Sequence, residues 1–225
     1  MRLLTTRFAA MFVAAFALTE VRTAAAQLCV GRPVAQSAPG RIGARYTSYP
    51  GSENEYGLEA GLTSTSGTFG SAALALTKIS DVGNAKSAEG WLGQGFTPEG
   101  SSVQICPLAG IRYTSLPSFS LANVTYDSHI LTYSIGATVG LSLGSDPSMQ
   151  FVPFGGVYFE RQQASLSGGG FSNTDGANNG LYEIGVVLVV NHQFSVGPVM
   201  RNIFGIPDYN ERPAYGVIFS YSLGR

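Results

Sequence analysis

Leu131-Thr132-Tyr133-Ser134-Ile135-Gly136-Ala137-Thr138-Val139-Gly140-Leu141-Ser142-Leu143 alternates without a break, apolar at every odd position and small or hydroxylated at every even one. A period of two is that of a β-strand, whose successive side chains point to opposite faces. The run outlasts the roughly five or six residues of an ordinary soluble strand. It suffices to cross a bilayer obliquely, which takes about 9–11 residues. A greasy face toward hydrocarbon and a small polar face toward a lumen is the pattern of a transmembrane β-barrel strand.

The start of the chain supports export. Arg2 and Arg7 supply positive charge, residues 8–18 are uninterruptedly apolar, and Ala24-Ala25-Ala26 offers a small-residue cleavage site. The expected leader is residues 1–26, with a mature chain from Gln27, because an apolar stretch of eleven residues falls short of the ~20 that a spanning helix needs. Loss of Arg2, Arg7, Arg22 and Glu20 turns thirteen basic and fourteen acidic residues into ten and thirteen, a net charge of −3. No basic patch invites nucleic acid.

Beyond the leader the longest apolar run is residues 184–190, so helical spans are excluded. Charged residues make up 12% of the chain, while Gly reaches 29, Phe 13 and Tyr 11, a composition suited to one lipid face and one crowded face. A soluble sandwich is the competing architecture. It would wet one face with charge, and this chain has Lys78 and Lys86 as its only lysines.

Alternation and turn signals predict an all-β, antiparallel, up-and-down transmembrane barrel of about ten strands, with eight the alternative count. The expected strands are 40–49, 55–65, 68–80, 87–96, 102–115, 130–144, 149–162, 180–193, 195–204 and 213–223. Short breaks at Ser66-Gly67, 97–101, 145–148 and Phe194-Ser195 alternate with longer ones, notably 116–129, 164–179 and 205–212. Short periplasmic turns and long outer loops are the asymmetry of single-chain outer-membrane barrels. The expected organisation is a leader (1–26), a periplasmic N-terminal segment (27–39) and the barrel (40–225).

Residues 102–113 align without gaps on 148–159, which makes these equivalent strands. In that register Val103, Ile105, Pro107, Ala109, Ile111 and Tyr113 face lipid, and Arg112 and Glu160 face inward. The opposite register would expose a basic side chain to lipid at a cost of about 2–4 kcal/mol. Pro107 and Pro153 remove ladder donors and are read as bulges near the periplasmic rim.

At the C-terminus Tyr215, Val217, Phe219, Tyr221 and Leu223 alternate with Gly216, Ile218, Ser220 and Ser222. This resembles the closing strand of the small outer-membrane β-barrel superfamily that includes OmpA-, OmpX- and OmpW-like proteins. Gly216, Phe219 and Tyr221 match the Gly-x-x-aromatic-x-aromatic core of its terminal assembly signal. Many members end on an aromatic residue, whereas this chain runs on through Leu223-Gly224 to Arg225. The resemblance implies an outer-membrane location, contact with lipid and lipopolysaccharide, and handling by the outer-membrane assembly machinery. An even strand count puts both termini in the periplasm, and a monomer is expected.

Three residue sets are candidates for a role. Cys29 and Cys106 are the only cysteines, and in an exported chain they are expected to bridge, tying the N-terminal segment to the periplasmic mouth. Such a bridge would contribute about 3–5 kcal/mol; unpaired thiols, or a bond to another chain, are the alternatives. The second set is the inward charges Arg45, Glu59, Arg112, Glu160, Glu183 and Arg201, three of each sign, expected to pair and brace the lumen, with a selective filter as the alternative. Arg112, Glu160 and Glu183 are the expected cluster. The third is Asp127-Ser128-His129 at a loop end. Strand neighbours point to opposite faces, so Ser128 and His129 are poorly placed as nucleophile and base.

No cofactor or metal is expected. Two cysteines and two distant histidines do not make a metal site, Asp175 alone does not hold calcium, and Gly93-Gln94-Gly95 lacks the rest of a dinucleotide fingerprint. The Gly/Asn/Ser-rich residues 168–180 read as a flexible outer loop. Phe119, Val124 and Tyr126 read as a loop surface for a partner or as packing over the mouth. A ten-stranded barrel has little interior room, and Gln104, Leu108, Gln150, Phe154 and Tyr158 project into it. The expected protein is therefore an occluded, non-enzymatic barrel with a structural or surface-interaction role. The alternatives are a narrow pore or uptake route for small, hydrophobic solutes lined by Leu108, Val152, Phe154, Val187, Val189, Val199 and Ile218, and an outer-rim hydrolase.

Overall fold

The structure, a computed structural model, describes residues 40–51, 53–64, 66–99, 101–121, 123–143, 148–191, 193–205 and 212–223. The expected leader, the segment 27–39, Cys29 and His192 lie outside them. Among the described residues the strands are β1 (Gly40–Tyr49), β2 (Glu53–Thr63), β3 (Thr68–Ile79), β4 (Gly83–Gln94), β5 (Val103–Ser115), β6 (Phe119–Leu121), β7 (Val124–Leu141), β8 (Met149–Gly168), β9 (Phe171–Val190), β10 (Phe194–Phe204) and β11 (Ala214–Leu223).

Each strand pairs antiparallel with its sequence neighbour, β5 with β7, and β1 with β11. The sheet thus closes on itself as a ten-stranded up-and-down barrel, with β6 a short appendage on β7. Within the wall, closure leaves no strand among the described residues at an edge. Gly40 lies opposite Leu223, so both ends of the described barrel share one rim, here the near rim. The other is the far rim.

Period-two alternation sets the sidedness. On β11, Tyr215, Val217, Phe219 and Leu223 are exposed while Ala214, Gly216, Ile218, Ser220 and Ser222 are buried. The same inversion runs round the wall, where Leu58, Leu62, Leu74, Leu92 and Phe159 rank among the most exposed side chains. Outward aromatics gather toward both rims. Phe194 meets Phe219 and Tyr221 near one rim, at ring distances of 6.4 and 4.9 Å, and Tyr46 meets Tyr56 at 5.3 Å on the far side. Such girdles mark the two interfaces of a membrane-spanning barrel.

Three prolines occupy one position. Pro107, Pro153 and Pro198 each lie four residues into β5, β8 and β10, which all rise from the near rim. The two expected bulges are absent. β5 keeps one register with β4 on both sides of Pro107, from Gly93↔Leu108 to the bridge Phe96↔Ile105, and β8 does the same with β7 around Pro153, from Gly140↔Phe154 to Leu143↔Phe151. The ladder instead skips Cys106-Pro107, Val152-Pro153 and, against β9, Gly197-Pro198. Without an N–H, proline leaves a gap on one side of the strand, and the ladder resumes unshifted beyond it.

The second departure is at the far rim. β7, β8 and β9 run to 18, 20 and 20 residues, against 10–13 for the other barrel strands. The expected flexible loop at 168–180 is instead a hairpin turned by Gly169 and Gly170, at φ +58° and +83°, with β9 pairing from Phe171. Two positive φ values in a two-residue loop match the right-handed twist of the flanking strands. Phe119 and Tyr126, read as a loop surface, stack on each other at 5.4 Å across the β6–β7 pair.

Candidate lumen site

The lumen has two halves of different chemistry. Toward the near rim Val152, Phe154, Val187, Val189, Val199 and Ile218 form one buried cluster, and Phe69, Cys106, Leu108 and Tyr158 form another, with Trp91 and Leu181 against it. Val152, Val187 and Cys106 are 0% exposed. A wall side chain without solvent contact does not line a water-filled path. Cys106 is inward and buried as expected, and its proposed partner lies outside the described residues.

Glycines make this packing possible. In the lumen Phe69 faces Gly93, Trp91 faces Gly110, Tyr158 faces Gly136 and Phe154 faces Gly185, each directly across the ladder, and on the outer face Phe204 covers Gly180 in the same way. In every pair a Cβ on the glycine would strike the ring. A flat side chain thus lies over a bare stretch of backbone, the arrangement by which aromatics cover strand glycines.

Charges follow the same logic on β1. Arg41 and Arg45 lie opposite Gly61 and Gly57. A Cβ on Gly61 would stand 2.9 Å from the Nε of Arg41, and one on Gly57 2.8 Å from that of Arg45. Each guanidinium crosses its glycine to a glutamate two residues along, Arg41 to Glu59 at 2.6 Å and Arg45 to Glu55 at 2.9 Å. Arg45 also binds Glu89 across the lumen. Arg112 Nε donates to the other Glu89 oxygen at 2.8 Å, and its Nη1 stands 3.9 Å from Glu55. Arg201 pairs with Glu183, the residue opposite it on β9. Burial makes the pairing obligatory, since an isolated charge there would be very costly.

All six expected charges face the interior, but their grouping differs from expectation. Arg112 belongs with Arg45, Glu55 and Glu89, while Glu183 belongs with Arg201. Glu160 accepts from Ser134 Oγ at 3.2 Å and Asn179 Nδ2 at 2.9 Å, both facing it across their ladders. Arg41, Glu55 and Glu89 complete the network and were not among the expected residues. Their signal was present, since Glu55 shares the face of Glu59 four residues on. Above the apolar floor Arg45, Arg112, Glu160, Glu183 and Arg201 line a cavity of about 120 Å³ toward the far rim.

The other expected sets are placed as follows. Asp127 accepts from Ser118 Oγ at 2.6 Å, the His129 ring lies 5.5 Å from that of Tyr113, and Ser128 falls on the opposite strand face. The trio is not assembled. In the C-terminal strand Phe219 and Tyr221 face outward beside Phe194, and Gly216 faces inward opposite Thr47. Among the described residues no group of three or more His, Cys, Asp or Glu is arranged to hold a metal.

No protein-family model matches the chain, and no curated protein does. Solved structures similar to it include the KdgM porin (8% identity, TM-score 0.41, covering 82% of this chain and 99% of that one). Others are Ail, the attachment invasion locus protein of Yersinia pestis (9%, 0.41, 81% and 93%), and LpxR from Salmonella typhimurium (9%, 0.46, 81% and 100%).

Proposed function

We propose that the chain is a monomeric outer-membrane barrel that conducts nothing, catalyses nothing, and acts as a structural or surface-interaction element. In this reading the near rim faces the periplasm and the β7–β9 extension faces outward. The outward girdles contact lipid and lipopolysaccharide, and the assembly machinery reads the C-terminal strand through Gly216, Phe219 and Tyr221. The observation that carries it is the near half of the lumen, where Val152, Val187 and Cys106 have no exposure and Arg41 and Glu59 are buried as a pair.

The test is purified full-length protein in planar bilayers, with phospholipid and peptide hydrolysis assayed in parallel. Silence in all three is expected. Discrete, reproducible openings would overturn the sealed lumen, and turnover lost in His129→Ala would overturn the non-enzymatic role. The Cys29–Cys106 bridge is part of the proposal and has its own assay. The protein extracted from outer membranes is expected to migrate differently with and without reductant after boiling, whereas identical mobility together with two thiols titrating per unfolded chain would remove the bridge.

A further inference from the structure

The cavity above the apolar floor has two wall groups with unmet capacity. Glu160 takes hydrogen bonds only from the neutral donors Ser134 and Asn179, and among the described residues no cation pairs with it. Arg45, whose side chain is 4% exposed, leaves its Nη2 without an acceptor among the described residues. Among the described residues in this half of the lumen the guanidiniums of Arg45, Arg112 and Arg201 stand against the carboxylates of Glu55, Glu89, Glu160 and Glu183, one more anion than cation. Trp91 and Tyr158 also line the cavity, their rings edge to face at 5.7 Å.

We infer that this cup binds a small zwitterion, its ammonium group against Glu160 and the aromatic rings and its carboxylate on Arg45. A carboxylate beside aromatic surfaces is the chemistry that recognises an ammonium group. An unpaired guanidinium N–H in a buried setting is a strong donor to an anionic oxygen. The volume, about 120 Å³, admits a ligand of a few heavy atoms and excludes the drug-sized molecules of ~300–1,000 Å³ pockets. This goes beyond the sealed-barrel proposal and rests on it only in that the cup is closed beneath.

Trp91 is the only tryptophan in the chain, so its emission reports this cavity directly. Full-length protein in detergent micelles is titrated with glycine, β-alanine and γ-aminobutyrate, which separate the two charges by increasing lengths. Ethylammonium chloride and sodium acetate serve as half-ligands. At least one amino acid is expected to change the emission saturably, with both half-ligands at least tenfold weaker. Glu160→Gln, whose amide oxygen still accepts from Asn179 and whose NH2 can donate to the Ser134 hydroxyl, is expected to weaken binding at least tenfold while boiled and unboiled mobilities still differ. If that variant does not fold, Glu160→Asp withdraws the carboxylate by one methylene and is expected to shift the midpoint the same way. No saturable response to any of the three amino acids, or an unchanged midpoint in a folded Glu160 variant, overturns the inference. Channel activity in the bilayer assay would overturn the sealed lumen without touching this result.

Discussion

Glu89 binds two guanidiniums at once, Arg45 through one oxygen and Arg112 through the other. With its side chain 3% exposed, removing it leaves Arg45 on Glu55 alone and takes from Arg112, whose side chain is 30% exposed, its hydrogen-bonded carboxylate. Glu89→Ala is therefore expected to cost about 1.5–3 kcal/mol, the range for losing hydrogen bonds between charged groups. Arg161→Ala, at an exposed residue that donates to Asn178, is expected to stay within about 0.5 kcal/mol. Urea unfolding of the barrel in lipid vesicles, followed by Trp91 emission, measures both. Equal effects of the two changes would mean that the lumen network does not bear on stability. The side of the wall for each charge was legible in the sequence, because an odd or even position within a strand decides it. The partners were not legible. Whether Arg112 meets Glu89 or Glu160 depends on inter-strand register, which no single strand encodes. The glycines opposite Phe69, Trp91 and Tyr158 were hidden for the same reason, since a glycine under a ring is visible only once the two strands are laid side by side.

At the level of strands, alternation located the barrel wall to within a few residues for β1, β3, β5, β10 and β11. It failed above the far rim. There β7, β8 and β9 leave the apolar layer, so both faces meet water and the period-two hydropathy signal disappears although the hydrogen-bonded ladder continues. Residues 171–178 are exposed at every position yet pair with β8 throughout. Polar composition was thus read as loop where the backbone remains strand. What ends the hairpin is Gly169-Gly170, both at positive φ, a conformation that costs an L-residue with a side chain roughly 1–2 kcal/mol at each position. Replacing both by alanine is expected to fray the tip and leave the wall intact. Amide hydrogen exchange should rise at least tenfold over residues 171–178, with no change over 183–190. Uniform acceleration along all of β9 would show that the extension and the wall open as one unit.

For the molecule as a whole, the inversion of polarity follows from what surrounds it. A soluble barrel of this size hides its apolar side chains inside, whereas here Leu58 and Leu74, cross-strand neighbours at mid-strand on β2 and β3, are 70% and 69% exposed, while the arginines and glutamates are enclosed. Only a solvent of hydrocarbon makes both placements favourable, because in lipid the outer leucines have no water to order and the inner charges have each other. The same inversion places Lys78 and Lys86 on the outer face of β3 and β4, close to the far-rim turn between them, where a long side chain can reach the polar interface. A graded sensitivity follows. Leu74→Arg, deep in the apolar band, is expected to destabilise the barrel by about 2–4 kcal/mol in vesicles, and Lys78→Arg, at the interface, by no more than about 1 kcal/mol. In water a charge at Leu74 would relieve an exposed apolar patch and raise solubility. Reversible urea titration of both variants in phospholipid vesicles separates the cases. A Leu74→Arg protein as stable as the parent would mean that hydrocarbon does not surround this wall.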